Sequence, residues 1–386
     1  MRVTIDARPA VSAGMTGVGV YTHELILRLP GVDPKVRYEA WYLNARRALR
    51  PWRWSRRSLP RVPNLTERWT PFPAQTFERL SLRYELPRLE WFTDFDVLFA
   101  PNFVPPPTRS RNLVLTVHDL AFRKFPETAP LATRRWLRRL DRALQQAAEV
   151  VVPSTVTRDD LVALYPVDPS RVTVIHHGVD RERIRPAPED DVERARGRFG
   201  VKGRYVLFLG GLEPRKNLPR LVRAFARADA DATLVIAGAS VSWNPEGRLE
   251  LDRALAEMDR ERRDRVILTG YLGTRDKVAL MTGAEALAFP TLYEGFGFPL
   301  LEAMACGTPI LTSNVSSMPE VAGDAALFVD PLDESAIADG LERVVGDAAF
   351  RKRLIEAGGR QVEKFSWDQS ARKHAEVLHR AAGRPG

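Results

Sequence analysis

Two glutamates, Glu294 and Glu302, stand with seven residues between them in the string LYEGFGFPLLEAMACGTP. Glu294 follows the apolar run 286–289, which is predicted to be a buried strand. Glu302 falls in a short predicted helix that begins near Pro299, and we expect it in the first turn. Open α/β sheets bind ligands beyond the carboxyl ends of their strands, so both carboxylates should face one crevice. Two acids on one crevice suggest an acid–base pair of the glycosidase kind.

A structural role is the alternative for either glutamate alone, because an acid in the first helical turn complements the helix dipole by about 0.3–1 kcal/mol. The residues between them make the segment more specific. Gly295 and Gly297 free the backbone for a tight turn and for close approach of a ligand. The helix N-terminus that follows offers an anion site beside the carboxylates.

A second motif, FLGGLEPRKNL at 208–218, places two cations between a predicted strand and a helix that we expect Asn217 to cap. Arg215 and Lys216 would oppose the dipole of that helix, so a purely structural role is disfavoured. A diphosphate leaving group is the anion that suits them, because its negative charge grows as a glycosidic bond breaks. A cation about 4 Å away contributes up to about 4 kcal/mol at an effective dielectric constant of about 20. The cations favour a diphosphate site over a glycosidase pair, with neither glutamate a nucleophile.

The glutamate string resembles the E-x7-E motif of retaining glycosyltransferases of family 4, which have the GT-B fold. The similarity extends over most of the chain and is strongest from Tyr205 to Pro331. The resemblance implies that Glu294 lies by the donor sugar and orients it, and that Glu302 binds the ribose hydroxyls. It also implies that the backbone of Gly295, Phe296 and Gly297 contacts the sugar and the phosphates.

The resemblance extends to residues outside that string. It supports a phosphate-binding role for Lys216, and Arg215 is a candidate substitute for the arginine that many relatives carry where this chain has Gly211. The string VHDL matches the family's donor-site histidine and implies a catalytic or sugar-positioning role for His118. The glycine loop after the first strand lacks the G-x-G-x-x-G spacing, and Gly17 is its best candidate for a donor contact.

Alternating strand and helix patterns predict an α/β protein with two doubly wound parallel-sheet domains, as in GT-B proteins. We expect an N-terminal acceptor-binding Rossmann-like domain at 1–185 and a C-terminal domain for the nucleotide-sugar donor at 186–366. A last helix within 367–386 would pack back on the first domain. The region 46–93 gives no clear pattern. The predicted strands lie at 2–6, 36–42, 96–99, 113–117, 149–152, 172–175, 205–209, 233–237, 266–269, 286–289, 310–312 and 326–329.

The positive charge is concentrated in one half of the chain. The formal net charge is +9, and residues 1–185 hold 30 Lys and Arg against 19 Asp and Glu. Seven arginines without an acid lie between Arg46 and Arg61, together with Trp52 and Trp54. An arginine-rich helix is predicted at 131–148 with leucines as its core stripe. Three interpretations of these basic residues are open: a solvated face, a surface that binds anionic membrane, and a surface that binds nucleic acid. Nucleic acid is disfavoured, because no finger, RRM or KH signature occurs.

Several sequence features argue against other chemistry. The single cysteine, Cys306, excludes an internal disulfide and fits a reducing compartment. The N-terminus reads directly as a strand, and no apolar run approaches a membrane span of about 20 residues. We therefore expect a cytoplasmic protein, with peripheral binding to the inner face of the membrane as a further expectation. Asp94-Phe95-Asp96 imitates the D-x-D metal motif of the other glycosyltransferase fold, but it precedes its strand. His176 and His177 should point to opposite faces, so no metal site is expected.

These features, with the resemblance, predict a retaining, metal-independent hexosyltransferase without a cofactor. Its donor would be a nucleotide diphosphate sugar, with GDP-mannose first and UDP-glucose as the alternative. Its acceptor would be a saccharide or a lipid-linked saccharide in surface polysaccharide or glycolipid synthesis. A sugar-nucleotide epimerase or hydrolase of the same fold, and a basic nucleic-acid-binding protein, are the competing functions.

Overall fold

The computed structural model describes residues 1–11, 16–43, 62–126, 131–238 and 245–383. The chain forms two compact units. The first unit comprises Met1–Phe122, Ala129–Gly178 and Trp367–Gly386, and the second comprises Arg123–Thr128 and Val179–Ser366. The arginine- and tryptophan-rich segment 46–61 lies outside the described residues, as does Gly14 of the glycine loop after the first strand.

Within the described residues, the first unit has a seven-stranded parallel sheet in the order β3-β2-β1-β4-β5-β6-β7. Its central strands are buried on both faces, as expected for a parallel sheet covered by helices. The strands are β1 (Arg2–Asp6), β2 (Arg37–Leu43), β3 (Leu65–Thr70), β4 (Val97–Ala100), β5 (Leu113–Thr116), β6 (Glu149–Val152) and β7 (Val172–Val174).

The second unit has a six-stranded parallel sheet in the order β10-β9-β8-β11-β12-β13, again counted over the residues described. Strands β8 and β11 are neighbours, with Ala286 beside Val206 and Leu287 beside Leu207. Their carboxyl ends therefore lie side by side. The strands are β8 (Tyr205–Leu209), β9 (Thr233–Ala237), β10 (Val266–Gly270), β11 (Ala286–Phe289), β12 (Ile310–Ser313) and β13 (Ala326–Val329).

Helices connect the strands and cover the sheets, and all of them fall between or after strands in the alternation that the sequence predicts. In chain order they are α1 (Gly17–Val32), α2 (Ala74–Tyr84), α3 (Ala121–Lys124), α4 (Leu131–Gln146), α5 (Thr155–Leu164), α6 (Glu189–Phe199), α7 (Leu218–Arg227), α8 (Pro245–Ala256), α9 (Arg260–Arg263), α10 (Thr274–Thr282), α11 (Phe298–Ala305), α12 (Met318–Ala322), α13 (Glu334–Gly346), α14 (Ala348–Val362) and α15 (Trp367–Ala382).

The last helix, α15, belongs to the first unit although it follows the second in sequence. It packs against α1, and His374 Nε2 lies 2.6 Å from the buried hydroxyl of Tyr21. The arginine-rich helix α4 buries Leu140 and Leu144 as the sequence predicts. Arg139 donates a 3.2 Å hydrogen bond to the Pro105 carbonyl, so part of its positive face bonds within the unit.

Two elements that the sequence pattern did not resolve lie in the region 46–93. The edge strand β3 has a half-exposed, polar composition, and α2 buries only Phe77 and Ser81. One further expectation was wrong in detail. Helix α11 begins at Phe298, so Glu302 lies in its second turn and not its first. Among the described residues, no helix has both the length and the apolar content needed to cross a bilayer.

Candidate functional site

The turn after β8 is built so that a lysine can fold back across it. Gly210 and Gly211 follow the strand, and a short 3₁₀ turn over Pro214–Lys216 leads into α7. A Cβ atom on Gly210 would lie 2.8 Å from Lys216 Cδ, so glycine leaves the space that the lysine stem occupies. Lys216 Nζ lies 5.1 Å from the centre of the Phe289 ring, at the end of β11. The ammonium group is thus held between the ends of two adjacent strands.

Glu294 receives both cations of this turn. Its Oε1 lies 2.7 Å from Lys216 Nζ, and its Oε2 lies 2.7 Å from Arg215 Nη1. Burial acts to raise the pKa of Glu294, but the two positive charges and their hydrogen bonds outweigh it and lower the pKa to about 2. The carboxylate is therefore ionised throughout the physiological range. Arg215, Lys216 and Glu294, all predicted site residues, are brought together as one charged cluster.

Arg215 makes further contacts that fix its guanidinium group. Nη1 donates a 3.1 Å hydrogen bond to the Tyr293 carbonyl, and Nη2 lies 2.6 Å from the carboxylate of Glu213. Glu213 was not predicted as part of the site, although it stands two residues before Arg215 in the motif. The structure thus places two carboxylates beside two cations, and an incoming anion would share or replace these partners.

Asn217 locks the turn to the rest of the sheet edge in a way that the sequence did not predict. Its residue adopts the left-handed conformation, with φ of +60°, and its side chain does not cap α7. Instead Nδ2 donates to the carbonyls of Pro290, at 2.9 Å, and Pro331, at 2.7 Å. Asn217 therefore occupies the N-cap position of α7 as predicted, while its side-chain amide joins three loops beyond the carboxyl ends of the strands.

The glutamate loop is held by two serines, Ser316 and Ser317, which stand directly before α12. Ser317 Oγ donates to the carbonyls of Glu294, at 2.8 Å, and Phe296, at 2.9 Å. Ser316 Oγ bonds both the amide and the carbonyl of Glu294, at 3.1 and 2.6 Å. Gly297 has φ of +108°, and a Cβ atom there would lie 2.7 Å from Met318 Cε. These contacts tie the backbone turn at 294–297 to the segment that follows β12.

Glu302 lies on α11 and pairs with a lysine that the sequence did not single out. Lys277 Nζ, on α10, contacts Glu302 Oε1. Both side chains are about one-fifth exposed, at 22% for Lys277 and 18% for Glu302. The carboxylate is thus held by a cation from a neighbouring helix.

His118 lies at the carboxyl end of β5 in the first unit and belongs to a buried aromatic cluster with Tyr21, His177 and Phe103. Its Nε2 donates to the Pro101 carbonyl at 2.8 Å, because a carbonyl oxygen only accepts. Burial lowers the pKa of His118 to about 4 although that hydrogen bond opposes the shift. The ring is therefore neutral, and its Nδ1 is an acceptor suited to a sugar hydroxyl rather than a proton donor.

Gly17 is the first residue of α1, directly after the Thr16 N-cap, whose side chain accepts a 3.4 Å hydrogen bond from the Gly19 amide. It stands at a helix N-terminus, where backbone amides favour an anion. Gly17 and His118 both lie in the first unit, and the other predicted residues lie in the second.

No group of three or more His, Cys, Asp or Glu side chains suited to a metal ion occurs among the residues that the structure describes. Asp96 instead accepts a 2.6 Å hydrogen bond from the Arg2 amide, at the amino ends of β1 and β4. His177 is buried among aromatic rings, and burial lowers its pKa well below the usual value. Asp96 is thus bonded to the backbone, and His177 is packed among aromatic rings.

Two family models match the chain. The model described as Glycosyltransferase Family 4 matches residues 15–183, and the model described as Glycosyl transferases group 1 matches residues 189–361. Together they leave only short stretches of the sequence uncovered. The chain belongs to glycosyltransferase family 4.

Among relatives of this family 4 glycosyltransferase, the O-antigen chain mannosyltransferase B of Escherichia coli is 26% identical over 390 residues, covering 95% of this chain and 97% of the relative. The serotype-specific mannosyltransferase WbdA of Escherichia coli is 31% identical over 59% of this chain, which spans only 27% of that longer protein. A D-inositol 3-phosphate glycosyltransferase of Nocardioides is 34% identical over 61% of this chain and 54% of its own length.

Solved structures with the same fold include Anabaena HepE in complex with UDP-glucose, at a TM-score of 0.70 and 17% identity, covering 98% of this chain and 99% of that chain. The glycosyltransferase WaaG, which is involved in lipopolysaccharide biosynthesis, superposes with a TM-score of 0.68 at 15% identity and the same coverage. At these identities the likeness shows the fold. It confirms the predicted GT-B class of this family 4 glycosyltransferase.

Proposed function

We propose that this glycosyltransferase is a retaining hexosyltransferase that takes its sugar from a nucleotide diphosphate donor. The observation that carries the proposal is the Arg215–Lys216 cation pair, held beside Glu294 at the carboxyl ends of β8 and β11. Such a pair, with the backbone turn at 295–297, suits a diphosphate better than any neutral ligand. The second unit is the proposed donor-binding unit, and the first is the proposed acceptor-binding unit.

In the proposed reaction the second unit stabilises the leaving diphosphate. Arg215 and Lys216 offset the charge that grows as the bond from sugar to phosphate breaks, without requiring a metal ion. Glu294 and the turn after it orient the sugar, and the neutral His118 ring accepts a hydrogen bond from a sugar hydroxyl. The acceptor hydroxyl attacks from the face of the leaving group, and the departing phosphate takes its proton.

Mannose from GDP-mannose is the proposed donor group. The support is the relation over nearly the full length to an O-antigen chain mannosyltransferase. UDP-glucose is the alternative donor. It is included in the experiment below because a protein of the same fold was solved in complex with UDP-glucose. The name of the O-antigen chain mannosyltransferase also supports a saccharide acceptor in surface polysaccharide synthesis. A lipid-linked saccharide is the second acceptor that we propose.

We also propose that the protein lies in the cytoplasm and contacts an anionic membrane surface, where a lipid-linked acceptor would be found. The support is the basic excess of residues 1–185. Arg142 on α4 already pairs with Glu85, and Arg139 bonds within its unit, so the whole excess is not available for lipid. We expect salt-sensitive co-sedimentation with phosphatidylserine vesicles. Equal binding to neutral phosphatidylcholine vesicles would contradict it.

The test is a transfer assay with radiolabelled GDP-mannose and UDP-glucose, each offered octyl α-mannoside as acceptor. We expect mannose transfer, an α-linked product by NMR, and a rate unchanged by EDTA. A β-linked product would contradict retention, and transfer from UDP-glucose alone would replace the donor. Release of free sugar or an epimerised nucleotide, with no glycoside formed, would favour the hydrolase or epimerase alternative.

A further inference from the structure

The ion pair between Lys277 and Glu302 joins two helices on the proposed donor-binding unit. Lys277 is the fourth residue of α10, and Glu302 is the fifth residue of α11. The contact uses Oε1 of the carboxylate. An ionised carboxylate has about four acceptor positions, so Glu302 keeps capacity for two hydroxyl donors beside the lysine.

Other contacts already hold α10 in place. Asp276 bonds to Arg194, at 2.9 Å, and to Arg198, at 2.6 Å, both on α6. Arg275 pairs with Asp191 on the same helix. On the side that faces α6, α10 is thus held by ion pairs that do not involve Lys277.

We propose that Lys277 is a positioning residue, which holds the Glu302 carboxylate in the orientation that accepts the two hydroxyl groups of the donor ribose. This inference rests on the proposed function, a nucleotide diphosphate sugar bound by the second unit, and on the ribose-binding role that the family resemblance implies for Glu302. A free glutamate side chain loses rotamer freedom when it binds a ligand, and a partner that orders it beforehand removes that cost from binding. Lys277 does this from a neighbouring helix without contacting the nucleotide.

The experiment compares GDP with 2′,3′-dideoxy-GDP by calorimetry, with UDP and its dideoxy form in parallel. In the wild-type protein, loss of the ribose hydroxyls should weaken binding about tenfold to a hundredfold, because the lost hydrogen bonds reach a charged acceptor. In Lys277→Met that ratio should fall to within about threefold. The dideoxy nucleotide itself should bind both proteins alike. Lys277→Arg should restore the ratio, and Arg275→Met, on the same helix, should leave it at the wild-type value.

The double variant Lys277→Met/Glu302→Gln tests whether the lysine acts through the glutamate. We expect it to bind GDP as weakly as Glu302→Gln alone, because the two changes remove one function. An unchanged ratio in Lys277→Met would overturn the proposal. An equal loss for GDP and dideoxy-GDP would also overturn it, since the lysine would then bind the nucleotide itself.

Failure of the proposed function is separately visible. Absence of GDP and UDP binding by the wild-type protein would contradict the donor site itself. A wild-type protein that binds both nucleotides and their dideoxy forms equally would contradict the ribose role of Glu302, and the positioning role with it. If Lys277→Met does not fold, Lys277→Gln keeps a polar side chain without the charge and should lower the ratio in the same way.

Discussion

Lys216 Nζ lies 2.7 Å from Glu294 Oε1, although the two residues stand 78 positions apart in the sequence. The contact forms because β8 and β11 are parallel neighbours and both residues follow the carboxyl ends of these strands. Each side chain is only 11% exposed, so solvent screens the attraction weakly. The Glu294 carboxylate contacts the same two cations that the proposed diphosphate would contact. Glu294 and the ligand are therefore coupled through Arg215 and Lys216.

Replacing Glu294 by glutamine should destabilise the second unit by about 3 kcal/mol, because two largely buried cations lose the negative charge that they share. The same change should make inorganic pyrophosphate a stronger stabiliser, since the ligand then supplies the missing negative charge. Differential scanning calorimetry with and without pyrophosphate measures both effects. Glu363→Gln is the matched control, because Glu363 is exposed and 3.9 Å from Arg181. Equal pyrophosphate shifts in the wild type and Glu294→Gln would show that the two anions do not share these cations.

Replacing Glu213 by glutamine should strengthen pyrophosphate binding about twofold to fivefold, the range of an ion pair that is partly exposed. Glu213 lies 2.6 Å from Arg215 Nη2, and its side chain is about half exposed. Without the charge of Glu213, an incoming anion competes with one carboxylate fewer for Arg215. Calorimetric titration measures the affinity, and Glu193→Gln, whose partner is Arg196, is the control. Weaker binding in Glu213→Gln would contradict this account.

Replacing Gly297 by alanine should cost about 1–3 kcal/mol and weaken nucleotide binding, because the backbone has positive φ and the new methyl group meets buried Met318. Gly359→Ala on α14 is the control, since nothing lies within 4 Å of its Cβ position. The control should be neutral or stabilising by up to about 1 kcal/mol. Urea unfolding followed by circular dichroism compares them. Equal stability of the two variants would contradict a strained requirement for glycine in the turn.

The first unit should lose stability as the pH falls from about 6.5 to about 4. Burial lowers the pKa of His118 and of His374 to about 4. The unfolded chain, with histidine pKa values near 6.5, binds more protons in that window, so protonation favours unfolding. The free energy of unfolding should fall by about 1.4 kcal/mol per pH unit for each such histidine.

Urea unfolding measured by tryptophan fluorescence gives that slope, because all but one of the eight tryptophans lie in the sequence of the first unit. His374→Gln should reduce the slope, since one buried histidine is removed. The exposed His379, which lies 2.6 Å from Asp33, provides the control His379→Gln. A slope that is the same in wild type and His374→Gln would contradict the assignment of the acid sensitivity to buried histidines.

The sequence predicted the fold most closely where strands are fully apolar and bounded by turn residues. The predicted bounds of β8 and β11 agree with the structure, because both runs are buried on each face. The edge strand β3 escaped prediction because its polar, half-exposed residues lack a buried run. The helix start at Phe298 also lay one residue before the proline that marked it, which moved Glu302 into the second turn.

For the candidate site, the sequence predicts which residues follow the carboxyl ends of strands but not the contacts between their side chains. Sequence reasoning brought Arg215, Lys216 and Glu294 to one edge of the sheet, since parallel order fixes which ends meet. It did not predict that one carboxylate takes both cations, because side-chain contacts 78 residues apart leave no local pattern. Lys277 was missed for the same reason. Its role depends on which helix faces become neighbours, and that is decided by packing.

The central claim is that a nucleotide diphosphate sugar binds at Arg215 and Lys216. Calorimetric titration of GDP-mannose into the wild-type protein and Lys216→Met tests it most directly, with Lys364→Met as a surface control. We predict that the wild type and the control bind alike and that Lys216→Met binds at least about a hundredfold more weakly, since a cation at contact distance contributes up to about 4 kcal/mol. Binding of equal strength by wild type and Lys216→Met would contradict the claim.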